Sequence, residues 1–341
     1  ASPGHASPPS EGRPAALVID GATLVVPDRG ELRADMRVVS VGDRIRCVGR
    51  GDECVAPSGA RIVDGRGRYV LPGLFDAHVH TSQRLPQVAP LYLAFGITSV
   101  RDAGGFPEFT RSLQDDIASG ALLGPRIYTA GRPIDGAPSA WPIPGIARTA
   151  RTDEEARGAV RASLAEGADF IKLYTALAPD LVRAAVDEAH ANGAKVTIDY
   201  VLRGPEIVDA GIDGVEHVLP PPAMAKDLVQ RYAAVGGAVP VAQTLRRMQE
   251  RGTALTTTMV LMERIATGGL AEDEATFAAL PESLRARSAE MLAGMDAQAA
   301  AFMRAMQGYA CDQVKTFVAI GGTILAGTDS YFLSSYPGDL H

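Results

Sequence analysis

From about residue 69 to residue 330, short apolar runs alternate with stretches of helical periodicity. No other feature constrains the fold of this chain as strongly. The apolar runs fall at Tyr69–Asp76, Ile97–Arg101, Pro125–Ala130, Phe170–Tyr174, Lys195–Asp199, Gly214–His217, Ala254–Met259 and Thr323–Ala326. Each is too short to be a typical buried helix and is flanked by turn-forming residues. Between them, the clearest helical pattern runs from Pro179 to Asn192. There Leu181, Ala184, Ala185 and Ala189 make one apolar stripe, and Gly193 follows as a stop. Eight strands alternating with helices predict an α/β chain folded as a (β/α)8 TIM barrel. The chain has 341 residues, 46% of them hydrophobic, and length alone permits one large α/β barrel or two ordinary domains.

A different pattern precedes the barrel. Between about residues 15 and 68, short runs rich in Val and Ile are separated by Gly, Asp and Pro. They predict strands joined by tight turns, hence a small β-sandwich-like unit over 15–68, with the barrel over 69–341. Residues 1–14 are small, polar and Pro-rich and are expected to be a flexible leader. Removal of a signal peptide before it would place the protein in a secreted or periplasmic setting; otherwise it is cytoplasmic. Three cysteines make no disulfide framework. A Cys47–Cys54 bridge and a pair of unpaired thiols are equally compatible with the spacing. Residues 262–312, rich in Ala, Met and Glu, are expected to be outer helices with a Met-lined inner face. The net charge of −7 is spread along the chain without a basic block, which argues against nucleic acid or an anionic membrane as partner. No apolar run reaches the roughly 20 residues that span a bilayer.

Chemistry concentrates at strand ends. In Leu71–His80 an apolar run leads into His78 and His80, spaced i, i+2. On a strand, that spacing puts both imidazoles on one face. Two neutral nitrogens held by one rigid element suit a divalent transition metal. Lys172 lies inside an apolar strand, where an ammonium costs desolvation unless it is paired or neutralised. His217 ends another short strand, and Asp329 stands just beyond the last one.

The Leu71–His80 segment resembles the first-strand motif of the amidohydrolase superfamily, close to its imidazolonepropionase-like and prolidase-like branch. The resemblance extends over nearly the whole chain, from about residue 15 to 341. It implies that His78, His80, Lys172, His217 and Asp329 gather around one or two divalent cations, most naturally zinc. It further implies that Lys172 is N-carboxylated and bridges the ions, and that Asp329 both binds metal and takes a proton from the attacking water. At one position the chain departs from the pattern. Asp199 stands where relatives carry a histidine at the end of the fifth strand. Asp199 either ligates through oxygen, or the second cation is weak or missing. The chain also stops at His341, soon after the eighth strand, where relatives continue with a further helix, so a truncated barrel is expected.

Several side chains sit near the expected mouth. Tyr174 is a candidate hydrogen-bond donor to a substrate carbonyl. Trp141, the only tryptophan, lies in a Pro-rich loop and either walls the pocket or anchors the loop. Arg101 and Asp102 are expected to form a surface ion pair. The expected reaction is hydrolysis of an amide, peptide or cyclic amide bond in a small molecule or short peptide. The alternatives are lactone or ester hydrolysis, deamination, and a metal- or ligand-binding protein without catalysis. Homo-oligomerisation is left open by the sequence.

Overall fold

A computed structural model of the chain describes residues 16–81, 85–141, 144–199, 204–221, 240–267, 278, 280–282, 285, 286, 290 and 297–330. The expected leader, part of the expected Met-lined helices and the last eleven residues lie outside these. The chain divides into two compact units, residues 1–74 and 75–341.

Where the sequence predicts a sandwich-like unit, the described residues of the first unit form a single mixed sheet of five strands: β1 (Ala16–Val26), β2 (Glu31–Val41), β3 (Arg44–Gly49), β4 (Arg61–Asp64) and β5 (Tyr69–Val70). Their order is β3-β2-β1-β4, with β5 also paired to β1. β1 and β2 form an antiparallel hairpin, while β4 and β5 run parallel to β1. Val18, Val39 and Cys54 form its small core, with Cys47, Ala56 and Ala60 packed against them. Cys47 and Cys54 are joined in a disulfide, which settles the choice that the sequence leaves open.

The second unit alternates strands and helices. A three-stranded sheet holds β6 (Leu74–Val79), β7 (Ile97–Asp102) and β8 (Arg126–Thr129). A seven-stranded sheet holds β9 (Ile134–Asp135), β10 (Arg148–Thr149), β11 (Phe170–Leu173), β12 (Lys195–Ile198), β13 (Gly214–Glu216), β14 (Ala254–Thr256) and β15 (Ile324–Leu325). Its order is β10-β9-β11-β12-β13-β14-β15, and every pairing within it is parallel. Backbone hydrogen bonds bridge the two sheets at both ends. On one side the Asp169 amide donates to Thr129 O; on the other, Ala77 donates to Ala326 O and Asp329 to His78 O.

The helices are α1 (Leu85–Ala94), α2 (Pro107–Ser119), α3 (Asp153–Ala165), α4 (Pro179–Ala191), α5 (Gly204–Asp209), α6 (Val241–Arg251), α7 (Met259–Thr267) and α8 (Ala297–Ala319). α3 starts where the Thr152 hydroxyl accepts from the Glu155 amide, with three acidic residues in its first turn. α4 buries the predicted stripe of Leu181, Ala184, Ala185 and Ala189, and Gly193 leaves it with a positive φ. These side chains belong to a core that includes Ile134, Ile171, Leu173, Val196, Ile198, Val215, Leu255 and Phe317.

Three expectations shift in detail. The run Tyr69–Asp76 splits into β5 and β6 around Leu71-Pro72-Gly73, because Pro72 offers no amide to a ladder. The run from Ala254 ends at Thr256, since Met259 already begins α7. Two brief strands, β9 and β10, appear where the sequence reads as one long loop.

Candidate metal centre

β6 delivers His78 and His80 to one place. His78 is fully buried, and the two rings lie edge to face with centroids 5.3 Å apart. Asp329 comes to them from the segment after β15, where its amide donates to the His78 carbonyl. Gly327 permits this approach, since a Cβ there would lie 2.8 Å from His78 Cβ and 2.9 Å from Thr256 Cγ2. Asp329 Oδ1 is 3.3 Å from His80 Nε2 and 3.6 Å from His78 Nε2. One ligand atom from each of the three residues lies within 4.8 Å of the others.

The remaining sequence candidates face this triad. The His217 ring, just past β13, has its centroid 4.7 Å from that of His78. Lys172 on β11 is 1% exposed, so it does not reach solvent. Its Nζ lies 3.3 Å from Asp199 Oδ1, and His217 Nε2 lies 3.3 Å from the same oxygen. The structure therefore brings all six candidate ligands together, in two subgroups. Tyr174 borders them, its ring centroid 6.0 Å from Lys172 Nζ. Trp141 packs edge-on against Tyr174 at 4.8 Å and against His80 at 5.7 Å, so it lines the site as well as anchoring its loop.

Each imidazole is oriented through Nδ1. His78 Nδ1 meets Glu216 Oε2 at 2.7 Å, His80 Nδ1 meets the Gly104 carbonyl at 3.0 Å, and His217 Nδ1 meets Thr258 Oγ1 at 2.6 Å. A carboxylate and a carbonyl only accept, so His78 and His80 each carry a proton on Nδ1, which leaves Nε2 of each turned toward Asp329. Histidine ligands of metals are commonly braced in this way.

Sequence reasoning missed the groups behind these rings. Glu216 is fully buried and receives Arg101 Nη2 at 2.5 Å; Arg101 also donates to Ala77 O and Thr256 Oγ1. Arg101 and Asp102 are thus not a surface ion pair. They point to different partners, and buried Asp102 accepts from the Thr81 amide and the Thr129 hydroxyl. The burial of Glu216 in the three-residue strand β13 shows only in the structure. Asp76 is a further buried brace, accepting from the Thr328 amide and hydroxyl beside Asp329.

Burial and neighbours set the charges. Burial lowers the His78 pKa to about 4, despite the opposing pull of Asp329 and Glu216, so the ring is neutral at pH 7. Burial raises the Asp329 carboxyl, but the imidazoles of His78 and His80 outweigh it and hold the group well below the usual carboxylate range. For Asp199, burial is likewise outweighed by Lys172 and His217, and the pKa falls to about 2. Asp76 rises to about 6, mainly through burial.

The donor set fits a divalent cation. His78 Nε2 is buried and makes no hydrogen bond, a costly state for a lone pair that a cation relieves. Imidazole nitrogens with a carboxylate oxygen suit zinc and similar ions.

No family model matches the chain. A 93-residue stretch is 33% identical to the adenine deaminase of Rubrobacter xylanophilus, covering 27% of this chain but only 15% of that enzyme. Among solved structures, a prolidase complexed with N-methylphosphonate-L-proline superposes with a TM-score of 0.69 at 24% identity. That superposition covers 95% of this chain and 80% of the prolidase. An amidohydrolase superposes equally well, TM-score 0.69, at 22% identity over 95% of this chain and 79% of its own.

Proposed function

We propose that this chain, which has the fold of the amidohydrolase superfamily, is a metal-dependent hydrolase of carbon–nitrogen bonds. The observation that carries this reading is the convergence of His78, His80 and Asp329, with His78 Nε2 buried and unbonded. In this reading the eight strands β6, β7, β8 and β11–β15 close into a (β/α)8 barrel. The backbone hydrogen bonds at both ends of the two sheets support closure.

His78, His80 and Asp329 would hold the cation, most naturally zinc, with His217 beside them. Bound there, a divalent ion lowers the pKa of water to about 7 and polarises a carbonyl. Asp329, held ionised, orients the attacking water, accepts its proton and returns it to the leaving nitrogen. Glu216 and Gly104 O keep His78 and His80 in the required tautomer. Tyr174 donates to the substrate carbonyl, and Trp141 walls the pocket and excludes water from that side. The substrate is a small molecule or short peptide with an amide, peptide or cyclic amide bond. The stretch shared with an adenine deaminase favours deamination as the second reading, since the same water attack serves there. The Cys47–Cys54 disulfide supports a setting outside the reducing cytosol.

The test is elemental analysis of the purified protein joined to turnover on dipeptides, N-acyl amino acids, lactones and adenine. His78→Ala should lose metal and turnover together. A variant that retains both would remove the basis of the proposal.

A further inference from the structure

We infer that Lys172 keeps its amine, clasped by Asp199 in a buried ion pair, and that the centre consequently takes one divalent cation, on the His78–His80–Asp329 side. This rests on the metal-dependent reading above. The family resemblance implies otherwise, with a carboxylated Lys172 bridging two ions beside a neutral histidine. Here that neutral group is replaced by a carboxylate.

The Asp199 carboxylate is fixed in place. Its Oδ1 lies 3.3 Å from both Lys172 Nζ and His217 Nε2, its Oδ2 accepts from Thr175 Oγ1 at 3.2 Å, and its amide donates to Leu173 O. Lys172 is 1% and Asp199 3% exposed, so solvent and salt screen their attraction little. Carboxylation requires the ammonium to release two protons while its nitrogen forms a bond to the carbon of CO2. The side chain then passes from one positive to one negative charge. In this chain the new anion would be in contact with the Asp199 carboxylate, and the ion pair that neutralises both groups would be gone. Removing the partner from a buried charge is strongly unfavourable.

Donor grouping points the same way. Among the described residues, His78, His80 and Asp329 are the one set of three His, Cys, Asp or Glu side chains whose ligand atoms converge. Asp199 and His217 alone are two donors, and the Lys172 ammonium, which has no lone pair, cannot add a third. Asp199 is thus a positioning residue for Lys172, and Lys172 supplies a fixed positive charge beside the cation site.

The experiment loads the full chain with zinc in 13C-bicarbonate buffer. Zinc per chain is counted by elemental analysis, and the carbamate carbon is sought by 13C NMR. The expected result is one zinc and no carbamate signal, with a second zinc and a carbamate signal gained in Asp199→His. Two zinc ions or a carbamate signal in the unaltered protein overturns the inference and leaves the metal-dependent reading standing. No retained zinc overturns that reading itself. A folded Asp199→His protein, checked by circular dichroism, that still holds one zinc and no carbamate also overturns the inference, because Asp199 would not be what excludes the second ion.

Discussion

Glu216 need not touch a cation to control one. It joins Arg101 to His78 Nδ1 across three strands, and its oxygens are fully buried. Glu216→Gln should therefore weaken zinc binding by about 10- to 100-fold while the chain stays folded, as read by calorimetric titration beside circular dichroism. Unchanged affinity would show that the Gly104 and Thr258 contacts suffice to orient the site. The ligand candidates were legible because histidines are scarce here and a lysine inside an apolar strand is conspicuous. The braces were not legible. Arg101 and Glu216 stand 115 positions apart, and neither periodicity nor composition reveals that one neutralises the other. Backbone conformation was equally hidden. His217, Thr258 and Asp329 all adopt positive φ, at 66°, 43° and 54°, at the ends of β13, β14 and β15. Side chains with a Cβ rarely accept that region, and such outliers gather at functional sites.

At the scale of elements, the segment after β9 is tied to the segment after β11. Asp135 accepts from the amides of Gly136, Ala140, Trp141 and Ala176 and from the Ser139 hydroxyl. A Cβ on Gly136 would lie 1.9 Å from Ala176 O, so only glycine fits between these backbones. Gly136→Ala should destabilise the protein by about 1–3 kcal/mol in urea unfolding. It should also raise KM more than it lowers kcat, because Trp141 and Tyr174 would separate. An unperturbed unfolding midpoint and KM would contradict this bracing role. The strand-helix alternation that predicts the fold could not show this brace. β9 and β10 are two residues each, too short to carry any periodicity. The same limit explains why the break at Pro72 reads as one continuous strand while α4, with its full apolar stripe, is correctly bounded to within a residue.

At the scale of the molecule, the two compact units make separable predictions. The Cys47–Cys54 bridge closes a loop of eight residues, worth about 2–3 kcal/mol by the chain-entropy estimate. Cys47→Ser should lower the stability of the first unit by about that amount while the zinc content remains unchanged; loss of zinc would show that the units are not independent. Chelation should do the reverse, lowering the Tm of the second unit. Free zinc at a hundred times Kd should restore about 2.7 kcal/mol, measured by calorimetry with and without chelator. Absence of any zinc-dependent shift would count against a cation held in the native state.

The single indole of the chain lies edge-on to His80 and Tyr174. The protein thus carries one indole fluorophore, set beside the candidate metal centre, while residues 1–74 contribute no tryptophan emission. Arrival of an ion or a substrate could be followed by light alone, without attaching any dye.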